Sequence, residues 1–246
     1  MEMCSGNEAA ILFSGGLDST IVARLASEAC RVELYTVGVK GAHDLVVGEK
    51  AGRELDLHWV PIVLTEPEII GALPELARTI GTENPLTLSF ELPLWIGASR
   101  VRERLILTGQ GADELFGGYA RYLRMAPEEL ATNMANDQEM LLRVGIEREN
   151  RIASRFQKVS KYPFLHPSVV NLARNFPKED FINGEERKVV LRQVATLLGL
   201  HAAASRPKKA AQYGSGIMKV MKGEAKRRGI ELGTLVPALR QEGETV

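Results

Sequence analysis

Apolar and polar positions fall into alternating blocks along the first half of this chain. Ala9-Ala10-Ile11-Leu12-Phe13 is an unbroken apolar run, and residues 32–39 form a second. Runs of this kind suit strands buried on both faces. Between them, Thr20-Ile21-Val22-Ala23-Arg24-Leu25-Ala26 reads as helix. Over residues 45–56, Leu45, Val46, Ala51 and Leu55, with Leu57 beyond, give an approximate helical stripe. His58-Trp59-Val60-Pro61-Ile62-Val63 reads as a third strand, with Pro61 suggesting an irregular end. Residues 66–80 and 90–101 read as helices, Pro67 standing near the start of the first. Residues 104–107 read as a fourth strand. This alternation predicts a parallel sheet with helices on both faces over residues 1–125. Ligands of such sheets sit at the carboxyl ends of the strands.

After Tyr119 the pattern changes. Residues 127–160 are polar, charged and helix-prone, without clear strands. Residues 185–199 and 217–228 are further helix candidates. The expectation is one domain over residues 1–246, in which residues 126–246 form a mainly helical lobe covering the ligand edge. The tail 240–246 reads as frayed.

Composition changes this picture little. With 246 residues, 45% apolar and 25% charged, the chain is long enough to bury a full core and ordinary for a soluble protein. No stretch approaches the ~20 apolar residues that span a bilayer, and the start lacks a signal-peptide pattern. The two cysteines, Cys4 and Cys30, form neither a metal pattern nor a disulfide framework, so a cytoplasmic location is expected. Charge is distributed unevenly. Residues 1–125 hold 11 Lys+Arg and 17 Asp+Glu, a net of −6; residues 126–246 hold 20 and 14, a net of +6. The basic run Lys219, Lys222, Lys226, Arg227, Arg228 has little aromatic interleaving, so nucleic acid is a disfavoured partner against a solvated helix face.

Candidate chemistry begins directly after the first strand, at Ser14-Gly15-Gly16-Leu17-Asp18-Ser19. A Gly-rich turn opening a helix lets backbone approach an anion and aims free N–H groups at it. No Lys follows the glycines, so the loop is not a Walker A motif. It resembles the SGGxDS pyrophosphate loop of the ATP pyrophosphatase superfamily. The fourth strand leads into Thr108-Gly109-Gln110-Gly111-Ala112-Asp113-Glu114-Leu115-Phe116-Gly117-Gly118-Tyr119. This segment is similar to the L-[ST]-G-E-G-x-D-E-[LV]-F-G-G-Y signature of asparagine synthetases and the related β-lactam synthetases. Tyr162-Pro163-Phe164-Leu165, Lys188-Val189-Val190-Leu191-Arg192, and Arg206-Pro207-Lys208 with Tyr213-Gly214-Ser215-Gly216 resemble further segments of that family. The resemblance covers roughly residues 9–220.

What the resemblance implies is specific. The fold would be a doubly wound parallel sheet of the adenine-nucleotide α-hydrolase type. ATP and Mg²⁺ would be bound, and a small-molecule carboxylate would be adenylated and then amidated, releasing pyrophosphate and AMP. Ser14, Gly15, Gly16 and Ser19 would hold the pyrophosphate. Leu12 and Val37 would line the adenine pocket, and Thr108 and Gly109 would border the adenosine. Asp18 and Asp113 would hold the metal, against the alternatives of a helix N-cap and an Asx turn. Lys208 would neutralise charge developing at the reacting phosphate, with Lys188 and Arg192 as weaker candidates. Gln110 stands where the family has Glu, and Gln cannot take a proton at neutral pH. Either the acceptor or the base therefore differs, or a neighbour such as Glu114 or Glu91 compensates.

The family's glutamine-dependent members begin with a glutaminase domain. The thirteen residues before Ser14 cannot hold one. Nitrogen is then expected from free ammonia, another amine, or a separate glutaminase subunit. A tRNA-modifying ATP pyrophosphatase is the runner-up reading, and a nucleotide-binding protein without catalysis is the third.

Overall fold

The computed structural model describes residues 8–206 and 214–244. Five parallel strands form the central sheet in the order β3-β2-β1-β4-β5: β1 is Glu8–Leu12, β2 Arg31–Val39, β3 Trp59–Leu64, β4 Leu105–Leu107 and β5 Val159–Lys161. The chain winds outward in one direction through β1, β2 and β3, then returns to the other side of β1 with β4. The order therefore reverses between β1 and β4. That is where a doubly wound sheet opens a crevice for a ligand.

Alternation along β1 explains why its apolar run has no polar face. Ala9, Ile11 and Phe13 enter one core with Val32, Leu34 and Leu107; Ala10 enters the other with Tyr35, Val37 and Ile106. Helix α1 (Leu17–Ser27) covers the first face. Helices α3 (Glu66–Ile80) and α4 (Pro85–Arg100) cover the second, where α2 (His43–Glu54) does not. A capping box starts α3: the Thr65 hydroxyl accepts from the Glu68 N–H, and the Glu68 carboxylate accepts from the Thr65 N–H. Asn84 caps α4 in the same sense, accepting from the Thr87 N–H at 3.1 Å. These boundaries place α4 five residues earlier than the apolar stripe suggested.

Pro61 sits inside β3, paired with Thr36, and not at an irregular end. The strand is at the sheet edge, so the missing N–H removes no ladder bond.

The second half is mainly helical, but it also supplies the edge strand β5, which its polar surroundings concealed. After the short α5 (Ala112–Leu115), helix α6 (Pro127–Met140) runs through a π-helical segment, Leu141–Gly145, into α7 (Ile146–Arg155). Helix α8 (Pro167–Arg174) and a two-stranded antiparallel ribbon, Ile182–Asn183 with Glu186–Arg187, precede α9 (Val189–Leu197). The expected frayed tail is instead helical over Leu235–Glu244, with Leu235 and Val236 buried and Arg240 paired to Glu83. No helix among the described residues is long and apolar enough to cross a membrane.

Candidate active site

The two Gly-rich loops leave the neighbouring strands β1 and β4 on the same edge of the sheet. In the first, Gly15 has φ +67°, and a Cβ there would lie 2.7 Å from the Val47 carbonyl of α2. Only glycine fits both conditions. Ser14 Oγ lies 3.3 Å from Ser19 Oγ and accepts from the Gly16 N–H at 3.3 Å. Gly16 is the N-cap of α1, and no side chain caps this helix. Its first-turn N–H groups are thus left for a ligand. The N-cap alternative for Asp18 falls away with that observation.

Asp18 is turned instead toward Lys188. The Lys188 ammonium lies 2.6 Å from Asp18 Oδ2 and 2.5 Å from Asp113 Oδ1, and the lysine is only 2% exposed. Burial works against its charge, but the two carboxylates outweigh burial and hold the ammonium above its ordinary range. Lys188 itself has φ +59°, at the point where the ribbon turns into α9. Gly118 makes the arrangement possible, since a Cβ there would fall 1.8 Å from Asp113 Oδ1 and 2.3 Å from the Lys188 stem. Gly109 packs on Asp18, which joins the two loops directly: its Cβ would lie 3.0 Å from the Asp18 Cβ. Thr108 is buried, and its hydroxyl accepts from the Gln110 N–H at 3.3 Å.

The other oxygen of Asp18, Oδ1, is buried with no hydrogen-bond partner among the described residues. An orphaned oxygen beside a second carboxylate suits a hard cation. No cluster of three metal-binding side chains exists among the described residues. Mg²⁺ takes one or two carboxylates and completes its shell with phosphate and water.

A pocket at the carboxyl ends of β1 and β2 is lined by Leu12, Ser14, Thr36, Val37, Asp44 and Phe90. Leu12 and Val37 thus face one cavity. The Thr36 hydroxyl donates to the Phe13 carbonyl and accepts from the Trp59 indole at 2.8 Å, which locks the floor of this pocket. Arg206 closes the loop from the far end of the chain, donating to the Gly15 carbonyl and lying 3.8 Å from Glu54. Ser215 also reaches the site, its carbonyl accepting from the Val39 N–H at 2.9 Å. Lys208 lies outside the described residues, with Pro207 and Tyr213.

Gln110, Asp113 and Glu114 line a second, larger cavity of about 660 Å³. It is walled by α4, the second loop, the π segment and α7. Glu114 is buried beneath it; burial raises its pKa, against the hydrogen bond it accepts from Tyr119. Two further buried carboxylates, Glu91 and Glu149, share the lining. Glu91 had a sequence signal as a neighbour of Gln110. Glu149, in a charged amphipathic helix, had none.

The family profile described as asparagine synthase matches residues 1–138 and 125–231. The chain belongs to the asparagine synthase family. A Methanocaldococcus jannaschii protein named "Putative asparagine synthetase (glutamine-hydrolyzing) 1" is 32% identical, over 89% of this chain and 48% of its own length. Arabidopsis thaliana asparagine synthetase (glutamine-hydrolyzing) 3 is 27% identical, over 69% of this chain and 32% of its own length. The chain therefore spans about half the length, or less, of these curated relatives. A solved structure from Methanocaldococcus jannaschii, described as a predicted subunit of tRNA methyltransferase, aligns at 16% identity and TM-score 0.39, over 83% of this chain and 94% of that one.

Proposed function

We propose that this asparagine synthase family chain is an ATP-dependent ligase forming carbon–nitrogen bonds. It would adenylate a small-molecule carboxylate and pass the acyl group to ammonia or another amine, releasing AMP and pyrophosphate. One observation carries the reading: Asp18 and Asp113, from loops on adjacent parallel strands, converge on a single buried cation.

The residues divide the work. The N–H groups opening α1, with Ser14 and Ser19, would hold the pyrophosphate as one leaving group. Leu12 and Val37 would sandwich the adenine, and Thr108 and Gly109 would border the ribose. Asp18 and Asp113 would hold Mg²⁺, which supplies charge neutralisation at the phosphates when bound. Lys188, already between the two aspartates, would keep their charges compensated when phosphate is absent. Lys208 is proposed to offset charge developing at the reacting phosphate. Gln110 and Glu114 border the place where the amine would arrive. Ammonia could be free in solution or delivered by a separate glutaminase subunit.

Product analysis tests this. Turnover should yield AMP and pyrophosphate; accumulation of ADP and phosphate would refute the reading. Asp18→Ala and Asp113→Ala should each lower Mg²⁺-dependent turnover by on the order of 10³ or more with the fold retained. Turnover unchanged in either variant removes that residue from the metal site.

A further inference from the structure

The cavity beside Gln110 is built differently from the nucleotide crevice. Three carboxylates are buried around it: Glu91, Glu114 and Glu149, at 9%, 7% and 7% exposure. Two of them have partners. Tyr119 donates to Glu114, and Tyr162 is hydrogen-bonded to Glu149. Glu91 has no hydrogen-bond partner among the described residues; the Arg148 charge on α7 acts on it only through space. A buried carboxylate without a donor is costly, so the site lacks the group that would satisfy it. Arg187, the other guanidinium on the wall, is committed to the Gly118 carbonyl at 2.9 Å. An ammonium head, with three N–H donors and positive charge, supplies what Glu91 lacks.

Part of the remaining lining is apolar, beside polar groups such as Thr87, Asp113 and Asp137. Phe90, Met140, Leu141 and Val144 wall the cavity. Phe90 and Met140 are 42% and 57% exposed, unusual for large apolar side chains at the mouth of an acidic pocket. Ammonia would touch none of them. A water molecule needs roughly 10–15 Å³ of such space, and this cavity offers about 660 Å³. An aliphatic body attached to the amine would cover the apolar rim.

We infer that this cavity receives a primary alkylamine as acyl acceptor, its nitrogen at Glu91 and its aliphatic body against Phe90, Met140 and Val144. The inference rests on the adenylating reading above. Glu91 takes one proton from the ammonium and becomes a carboxylic acid. The nitrogen lone pair then attacks the acyl carbon, and the carbon–nitrogen bond forms. The bond from acyl carbon to the AMP oxygen breaks, AMP leaving with that electron pair. The second nitrogen proton passes to solvent. Burial pushes the Glu91 carboxyl up to about 7, which suits proton exchange near neutrality. With Glu91 in this place, Gln110 need not be a base.

The test separates the two half-reactions. A panel of carboxylic acids is first screened for acid-dependent exchange between ATP and pyrophosphate. With an active acid, AMP release is then measured with n-butylamine and with ammonium at equal free-base concentration. The expected result is a kcat/KM for n-butylamine at least tenfold above that for ammonia. Glu91→Gln should lower amine-dependent AMP release on the order of 10² more than it lowers exchange. Val144→Trp, an independent variant, should raise the KM for n-butylamine at least tenfold more than that for ammonium. Ammonia matching or exceeding n-butylamine overturns the inference. So does equal loss of exchange and transfer in Glu91→Gln, which would place the acyl substrate in this cavity. Exchange without any amine response defeats the inference alone, while absence of exchange with every acid defeats the adenylation reading and this inference together.

Discussion

The crevice at the two Gly-rich loops and the cavity beside Gln110 share one wall yet follow different rules. The crevice is built from backbone and small residues, and its opposite charges meet in one buried cluster. Asp18 and Asp113 meet Lys188 within 2.6 Å. The cavity is built from side chains of four separated segments, and one of its buried charges, Glu91, has no hydrogen-bond partner among the described residues. The contrast teaches where specificity resides. A phosphate chain is the same for every user of ATP, so a rigid cradle of backbone N–H groups would serve it. The reacting partners vary, and a buried polar group left wanting selects whichever ligand completes it.

The largest effect should come from breaking the charge cluster. Lys188→Met leaves the Asp18 and Asp113 carboxylates facing each other without the cation they share. The expected loss is about 3 kcal/mol of stability, read by denaturant unfolding, with activity lost as well. Mg²⁺ should raise the melting temperature of this variant more than that of the wild type, because the cation takes over the vacated role. Equal response to Mg²⁺ would mean that Lys188 and the metal do not share one site.

Gly118→Ala should come next. Its methyl would collide with the Asp113 carboxylate and the Lys188 stem. Forcing these apart should cost roughly 1–3 kcal/mol and at least tenfold in turnover. A crystal-quality fold with full activity would show that the contact is less tight than the geometry implies.

On the Glu91 side the sign reverses. Native Glu91 holds its proton up to about pH 7, whereas an unfolded glutamate releases it near 4.5. Between those values the native state binds more protons than the unfolded state. Stability therefore falls as pH rises through that window and levels off above it. Arg148 and Glu149 of α7, with Tyr162, are the groups whose fields couple to Glu91. Glu91→Gln removes this penalty and should stabilise the protein by about 1–3 kcal/mol at pH 8, with little change at pH 4. Thermal melts at the two pH values decide it. Destabilisation at pH 8 would show that Glu91 is satisfied by a partner the geometry does not reveal.

Arg206→Ala should be the mildest. It removes one charged hydrogen bond to the Gly15 carbonyl, worth about 1–2 kcal/mol. The KM for ATP should rise several-fold with kcat little changed. A pure kcat effect would place Arg206 nearer the chemistry than the loop.

Legibility in the sequence followed the same division. Strands β1, β2 and β4 were readable because parallel strands buried on two faces leave continuous apolar runs, and the edge strand β3 because it too is almost wholly apolar. Both loops were readable because glycines at fixed offsets serve backbone geometry. Strand β5, Val159–Lys161, was not readable. At three residues on a sheet edge, one of them Lys, it carries no period-two signal. Lys188 was seen as a weak candidate only, since its partners lie 170 and 75 positions away in the chain.

The chain by itself therefore determined the fold class, the two Gly-rich loops and the family, because these rest on patterns between neighbours in sequence. Tertiary structure alone decided that Lys188 joins Asp18 to Asp113, that Arg206 reaches Gly15, and that Glu91 and Glu149 share a cavity with Gln110. Each of those depends on burial and on distance between segments far apart in the chain. Neither burial nor distance is written in any single stretch of residues.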